Sequence, residues 1–392
     1  MATLSPSTAD VFQSDLGIVQ KAIASGVTDA YAKKKDSHWA LWITYCASLS
    51  LDPFLRHSKD PVPYLQVFGA RYRDGRIAPR GNAVASKTVS DAIRSVGQRF
   101  ASLGSKDPRY DSVGNIDFRI SRQLRSYTKT DAPPNRVKPV PITLVIHALT
   151  FAFHSRPSAE RKAIANLICI AFYFCLRPGE YTGTTTDDQA FALDDVAFFL
   201  GSRKLNNDLS PDHEIEAATA VNLTFTTQKN GDRGDVIAHA RSGDPLCCPV
   251  TSTVRQFMVH RREFRRRRVP YNGKIKLASY YNLHNVRVPI KATQITNALR
   301  WHAGVLEPTT GIKPADISAR SLRAGGAMAL LAGRCDSNII KLLARWHSDA
   351  MMRYLHQQSL PIFQKLASKM FNHGSYSFLP TDWVPSSVAT VE

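Results

Sequence analysis

Six side chains and one tyrosine, ordered along the chain from residue 177 on, have the types that phosphate chemistry uses: Arg177, Lys229, Arg320, Arg323, Trp346, His347 and Tyr354. Arg177 sits in CLRPGEY, where an apolar stretch meets Pro178 and Gly179. A guanidinium at a helix exit is held rigidly and offers paired donors to phosphate oxygens. The same residue also suits helix capping or an ion pair with Glu180. Lys229, in TTQKNG, stands at a hairpin turn, where an ammonium can enter a groove, neutralise charge and donate a proton, or simply stay solvated. Arg320 and Arg323 are three residues apart, a spacing that puts two guanidinium groups on one helix face near its start. Arginine there opposes the helix dipole, so binding one shared anion stands beside the plainer reading of a basic helix start. Tyr354 lies among Met351, Met352 and Leu355 in ARWHSDAMMRYLH, as a core aromatic would. Its other reading is a nucleophile beside a phosphate, which needs nearby cations because an ordinary phenol has a pKa of ~10.

The common signatures of other chemistries are missing. There is no GxxxxGK[ST], no HExxH, no GxSxG, and no Asp, Glu or His cluster at metal-ligand spacing, so no cofactor and no metal are expected. The densest charge is RREFRRRR, Arg261–Arg268, with six arginines in eight residues. It suits phosphate contact, a nuclear import signal or a solvated helix end.

The elements that must position these residues are mostly helical. His38–Leu49 carries Trp39, Trp42, Ile43 and Cys46 at helix spacing. Ser86–Phe100 carries Val89, Ile93, Val96 and Phe100 on one face, with Lys87, Arg94 and Arg99 outside it. Between them, PVPYLQVFGARYRDGR, which includes Arg71, reads as a ligand-touching segment or a loop packed on a helical bundle. Thr130–Pro141, with four prolines in twelve residues, reads as a linker. Ile142–His154 and Ala159–Leu176 follow as helices, the second apolar almost all round and stopped at Arg177-Pro178-Gly179. Val221–Gln228 and Val236–Ala240 flank Asn230-Gly231 as a β-hairpin. Helices are expected again over Thr251–Arg267, Thr293–Leu306, Ser321–Ala332 and Ser337–Trp346, with a final pair around Tyr354 and Leu360–Phe371.

The 392 residues carry a formal net charge of +19, with 43% hydrophobic and 9% aromatic residues. Ordinary cores are therefore possible, and wholesale disorder is excluded. No run of apolar residues is long enough to span a membrane, and the N-terminal residues do not resemble a secretory leader. Six cysteines without a CxxC pair fit a reducing compartment rather than a disulfide framework. The positive surplus points to a polyanion, of which nucleic acid is the commonest.

In their order, CLRPGEY, FTTQKNG, RSLRAGGA and ARWHSDAMMRYLH resemble the catalytic half of the tyrosine recombinases, the phage-integrase family, and especially integrase-like proteins of eukaryotic mobile elements. The resemblance covers about residues 140–372. It implies a mainly α fold with a small antiparallel β-sheet, arranged as a two-domain DNA clamp. The implied organisation is an N-terminal extension over 1–27, a helical core-binding (SAM-like) domain over 28–129, the linker over 130–141, the catalytic domain over 142–372 and a tail over 373–392. By this resemblance Arg177 and Arg323 are the two catalytic arginines, Lys229 the hairpin lysine, Trp346 the His/Trp position and Tyr354 the nucleophile. Arg320 stands where the family usually has histidine, and Tyr354 follows Trp346 by eight residues, slightly closer than usual, so His347 also fits the His/Trp role. The implied partner is double-stranded DNA, bound by a homotetramer on paired sites, with Lys87, Arg94, Arg99 and Arg71 as candidate DNA contacts of the first domain. A DNA-binding descendant that no longer exchanges strands is the alternative, and a type IB topoisomerase shares the chemistry. In a eukaryotic host Arg261–Arg268 would favour the nucleus; otherwise the cytoplasm is expected.

Overall fold

A computed structural model of the chain describes residues 6–27, 29–132, 137–155, 157–183, 190–226, 234–333, 335–345 and 366–376. Two compact units divide it, residues 1–134 and 135–392.

The first unit is helical: α1 (Pro6–Ser25), α2 (Asp29–Ala47), α3 (Val62–Arg73), α4 (Ser86–Ser102) and α5 (Phe118–Thr130). Trp42, Tyr45, Leu65, Phe68, Val89, Ile93, Val96, Phe100 and Ile120 form its core. The segment read as a ligand-touching stretch or a loop is instead the helix α3. Pro61 and Pro63 sit at its start, where the missing N–H groups would be unsatisfied in any helix, and Val62, Leu65, Phe68, Gly69 and Tyr72 are buried. Gly69 lets α4 come close, since a Cβ there would lie 2.9 Å from Ile93 Cδ1. The N-terminal extension is a helix too, and Val11, Phe12, Ile18, Val19 and Ile23 along it are exposed.

The second unit is built around α7 (Ala159–Tyr173), whose residues from Leu167 on are all buried. It packs against α6 (Ile142–Thr150), α10 (Pro249–Arg267), α11 (Ala292–Thr310) and α12 (Ser321–Ala332). A π-helical turn, Phe151–Ser155, continues α6. Gly325 and Gly326 on α12 face the backbone of Val140 and the carbonyl of Phe172, positions that a side chain would fill. The β-region is larger than a single hairpin. Strands β1 (Val196–Leu200), β2 (Arg203–Lys204), β3 (Ala220–Phe225) and β4 (Asp235–Ala240) form an antiparallel sheet in the order β2-β1-β3-β4, with Val196 opposite Leu223 and Leu223 opposite Ile237. A second pair, β5 (Ser279–Tyr281) and β6 (Arg287–Pro289), is separate. The last described helix, Leu366–His373, packs on α12, and Gly374 and Tyr376 continue the unit: the Ile142 N–H donates to Gly374 O at 2.6 Å and the Tyr376 hydroxyl to Val140 O at 3.0 Å. The expected tail from residue 373 therefore begins as part of this core.

Burial also sets an acid limit on this unit. His239, His260 and His302 are each pushed down to about 4, first by burial, with His147 adding to the effect at His302. The folded state thus keeps them neutral where the unfolded chain takes up a proton. Their contribution is complete above the unfolded value of 6.5 and is lost as pH falls toward 4. Each site that titrates only in the unfolded chain changes stability by about 1.4 kcal/mol per pH unit in that window. Urea midpoints measured from pH 7 down to 4 are expected to fall, and His239→Gln is expected to flatten the slope.

Candidate functional site

The end of α7 and the start of the next turn create the site. After Tyr173 the chain passes through Cys175, which has a left-handed backbone at φ 49°, and then extends at Arg177. Pro178 opens the short helix α8 (Pro178–Tyr181), and Glu180 folds back over its N-terminus. One oxygen of the buried Glu180 accepts from the Arg177 backbone N–H at 2.7 Å and the other from Arg177 Nη1 at 2.9 Å. Sequence RPGE therefore lets Glu180 accept from the backbone at its own helix start and form an ion pair together. The Arg177 side chain remains 34% exposed, so the pairing leaves it reachable.

Arg323 reaches the same place from α12. The paired glycines bring that helix against α7, and one turn earlier Arg323 donates through Nη2 to the Ala344 carbonyl. Burial, then repulsion from Arg177 and Arg345, pulls Arg323 down to about 10. It stays charged at neutral pH, and an arriving anion would offset that repulsion.

Arg345 completes the cluster, and nothing in the sequence singled it out. It ends α13 (Ser337–Ala344) with a left-handed backbone at φ 52°. Its side chain is 3% exposed. Nη2 donates to Glu180 Oε2 at 2.9 Å and to Cys175 O at 3.3 Å. Nη1 donates to Phe174 O at 3.3 Å and Leu343 O at 3.1 Å, and the guanidinium lies 3.9 Å from the centre of the Phe225 ring. Two guanidinium groups thus pair with one carboxylate and Arg323 lies within electrostatic reach of all three, a local surplus of two positive charges. Such a cluster, partly open at Arg177, is built to receive an anion with several oxygens.

The structure separates the other expected residues. Arg320 does not share a helix face with Arg323: α12 begins at Ser321, the Arg320 backbone N–H donates to Ser318 Oγ, and its side chain is exposed. The helix begins where the sequence places it, and Arg320 stands one residue ahead of it with its side chain on the surface. Lys229, Trp346, His347 and Tyr354 lie outside the described residues. Phe225, against which Arg345 packs, ends β3 four residues before Lys229 in the sequence.

Other nucleophiles close to the cluster are disabled. Burial pushes the Cys175 thiol up to about 12 despite Arg345 and Arg323, so it stays protonated. The buried Tyr181 hydroxyl donates to Ala319 O at 3.0 Å.

In the first unit, Lys87, Arg94 and Arg99 are exposed on α4, whereas Arg71 is half-buried with its guanidinium 5.5 Å from the centre of the Tyr45 ring. A further basic face, not anticipated, lies on α5: Arg122, Arg125 and Lys129 line one groove with Phe118, Ser121 and Ser126. The spacing 118, 122, 125, 129 is its sequence signature. The run Arg261–Arg268 is mostly internally paired. Arg261 is buried and donates to Asp208 O and Ser210 O, Arg262 pairs with Glu216, Arg265 with Asp212, and Arg266 and Arg267 with Glu263.

No family model matches the sequence, and no curated protein does. Among solved structures there are likenesses. The chain is similar to integrases and site-specific recombinases. An integrase from mycobacterium phage Brujita shares 12% identity across 92% of this chain and 93% of its own, with a TM-score of 0.32. The Tn1549 transposon integrase, solved with transposon right-end DNA, shares 12% across 83% of this chain and 99% of its own, with a TM-score of 0.41. XerH, a site-specific recombinase bound to its difH substrate before cleavage, shares 10% across 77% of this chain and 76% of its own, with a TM-score of 0.36. Among the described residues, no helix is long and apolar enough to cross a membrane.

Proposed function

We propose that this chain is a site-specific DNA recombinase or integrase that cuts and rejoins duplex DNA through a 3′-phosphotyrosyl intermediate. The observation that carries the reading is the convergence of Arg177 and Arg323, from separate elements, into one partly buried cationic cluster that also holds Arg345. The order of the motifs around it then assigns the remaining roles.

The Tyr354 oxygen attacks the phosphorus, and the bond from phosphorus to the 5′ oxygen breaks. Lys229 supplies the proton to that leaving oxygen. Arg177 and Arg323 hold the non-bridging oxygens, whose charge grows in the pentavalent transition state. Trp346 or His347 orients one of those oxygens or buttresses Tyr354. Arginines carry the charge that metal ions carry in other phosphoryl-transfer sites. The energy of the broken phosphodiester is kept in the tyrosyl ester, so a 5′-hydroxyl can attack in reverse and reseal the strand. Arg320, exposed beside α12, suits a contact with the DNA backbone rather than proton exchange, because arginine holds its proton at all working pH values.

The partner is double-stranded DNA, bound by four copies on paired sites. In the first unit the basic α5 face and the exposed side chains of α4 supply phosphate contacts, which make affinity fall steeply with salt.

The test is a duplex nicked near the cleavage position, which traps the cut strand on the protein. An adduct that survives denaturing electrophoresis, followed by recombinant product from a two-site substrate, is expected. Tight binding without an adduct would leave a DNA-binding descendant, and relaxation without exchange would indicate a topoisomerase.

A further inference from the structure

We infer that Arg345 is a positioning residue: it takes the second oxygen of Glu180, so that Arg177, anchored through Nη1 on the first, presents the rest of its guanidinium to a phosphate. The inference rests on the proposed function for its reaction, but its geometry lies wholly within described residues.

Charge counting gives the reason. Arg177 and Glu180 alone sum to zero, and an isolated arginine–glutamate pair satisfies itself. Arg345 takes one oxygen of Glu180 as a second cation, so the trio keeps one positive charge with Arg177 as its exposed member. Arg323 adds another. The remaining donors of Arg345 tie Glu180 to the carbonyls of Phe174 and Cys175, the two residues that set the direction of the chain into Leu176-Arg177. Stacking on Phe225 ties the same point to the end of β3. One side chain therefore fixes α7, α8, α13 and the sheet relative to each other.

The backbone supports this reading. A non-glycine residue in the left-handed region is uncommon and persists only where its surroundings over-determine it. Arg345 and Cys175 both adopt that conformation, and they are joined by the hydrogen bond from Nη2 to the Cys175 carbonyl. A plain helix C-terminus would take glycine here.

That geometry also supplies a variant that should fold. Arg345→Gly removes the guanidinium and is relaxed at φ 52°. Arg345→Asn, which also tolerates the left-handed region, is a second such change. Each is expected to lower the single-turnover rate of adduct formation by about 10²-fold, as loss of one well-placed donor does, with the DNA dissociation constant changed no more than about twofold. Arg345→Lys keeps the charge but not the fork and is expected to recover part of the rate. Because Arg345 acts through Glu180, Arg345→Gly combined with Glu180→Gln should be no slower than Glu180→Gln alone. A rate loss that tracks only thermal stability, or losses that multiply in the double variant, would overturn the proposal.

A second readout does not need catalysis. Inorganic phosphate titrated calorimetrically into the full chain should bind the wild type about tenfold more tightly than Arg345→Gly. Weaker phosphate binding in the variant, with no adduct from the wild type on nicked duplex, would sink the recombinase reading and leave the positioning role standing. Normal adduct rates and unchanged phosphate affinity in Arg345→Gly would do the reverse. Absence of phosphate binding to the wild type would overturn the positioning role, and the recombinase reading would then stand or fall on the adduct.

Discussion

Tyr354→Phe is expected to abolish the covalent protein–DNA adduct while DNA binding stays nearly intact. The substitution removes one oxygen, the atom that bonds to phosphorus, and leaves every phosphate-contacting cation in place. Two other tyrosines are poor substitutes. Tyr181 and Tyr376 spend their hydroxyls on the carbonyls of Ala319 and Val140, and burial pushes both upward. The effect should therefore be all or nothing in an adduct assay, whereas retention of a salt-sensitive gel shift shows that the fold and the DNA surface survive. An undiminished adduct would transfer the role to Tyr280, Tyr281 or another tyrosine.

The second large effect belongs to the charge clamp. Arg177→Lys and Arg323→Lys preserve charge but remove the planar fork, which a point-like ammonium cannot replace at a bidentate site. Each is expected to slow strand cleavage by ~10²–10³-fold, the usual cost of losing one preorganised donor to a developing oxyanion. Arg323→Lys should also affect folding more than Arg177→Lys. Arg323 is held down to about 10 by burial and by its cationic neighbours, and it ties α12 to the end of α13 through Ala344 O. Arg177 is a third exposed and keeps its backbone hydrogen bond to Glu180 whatever its side chain. Single-turnover cleavage on a nicked duplex, read with urea midpoints for both variants, separates the two contributions. Cleavage at the wild-type rate in either would remove that arginine from the site.

Local rules made much of this legible. The apolar faces of α4 and α7 follow from spacing alone, but α7 ends at Tyr173, three residues before the expected Leu176, where Cys175 turns left-handed. The two runs flanking Asn230-Gly231 pair as the antiparallel strands β3 and β4, while Asn230 and Gly231 themselves lie outside the described residues. What stayed hidden depends on long range or on small differences in register. The prolines and glycine of α3 imitate a loop until Ile93 is known to lie against Gly69. Strands β2, β5 and β6 span only two or three residues each, too few for an alternating pattern to register. Arg320 and Arg323 are three apart, but Arg320 stands one residue ahead of the helix and its side chain lies on the surface. Arg345 was invisible because its meaning comes from Glu180, 165 residues away, and from a left-handed backbone that its residue type does not suggest. The arginine run 261–268 misled in the other direction: its charge and its own Glu263 are evident in the sequence, but its partners Asp212 and Glu216, far upstream, are not.

The central claim is covalent, so its most direct test is to find the bond. Wild-type protein trapped on a nicked duplex is digested with protease and nuclease, and the peptide carrying the nucleotide is sequenced by mass spectrometry. The account predicts one modified residue, Tyr354, bearing the 3′-phosphoryl end, with a free 5′-hydroxyl on the released strand. A nucleotide on any other residue, a 5′-phosphotyrosyl link, or no covalent peptide from a duplex that the protein binds would contradict it.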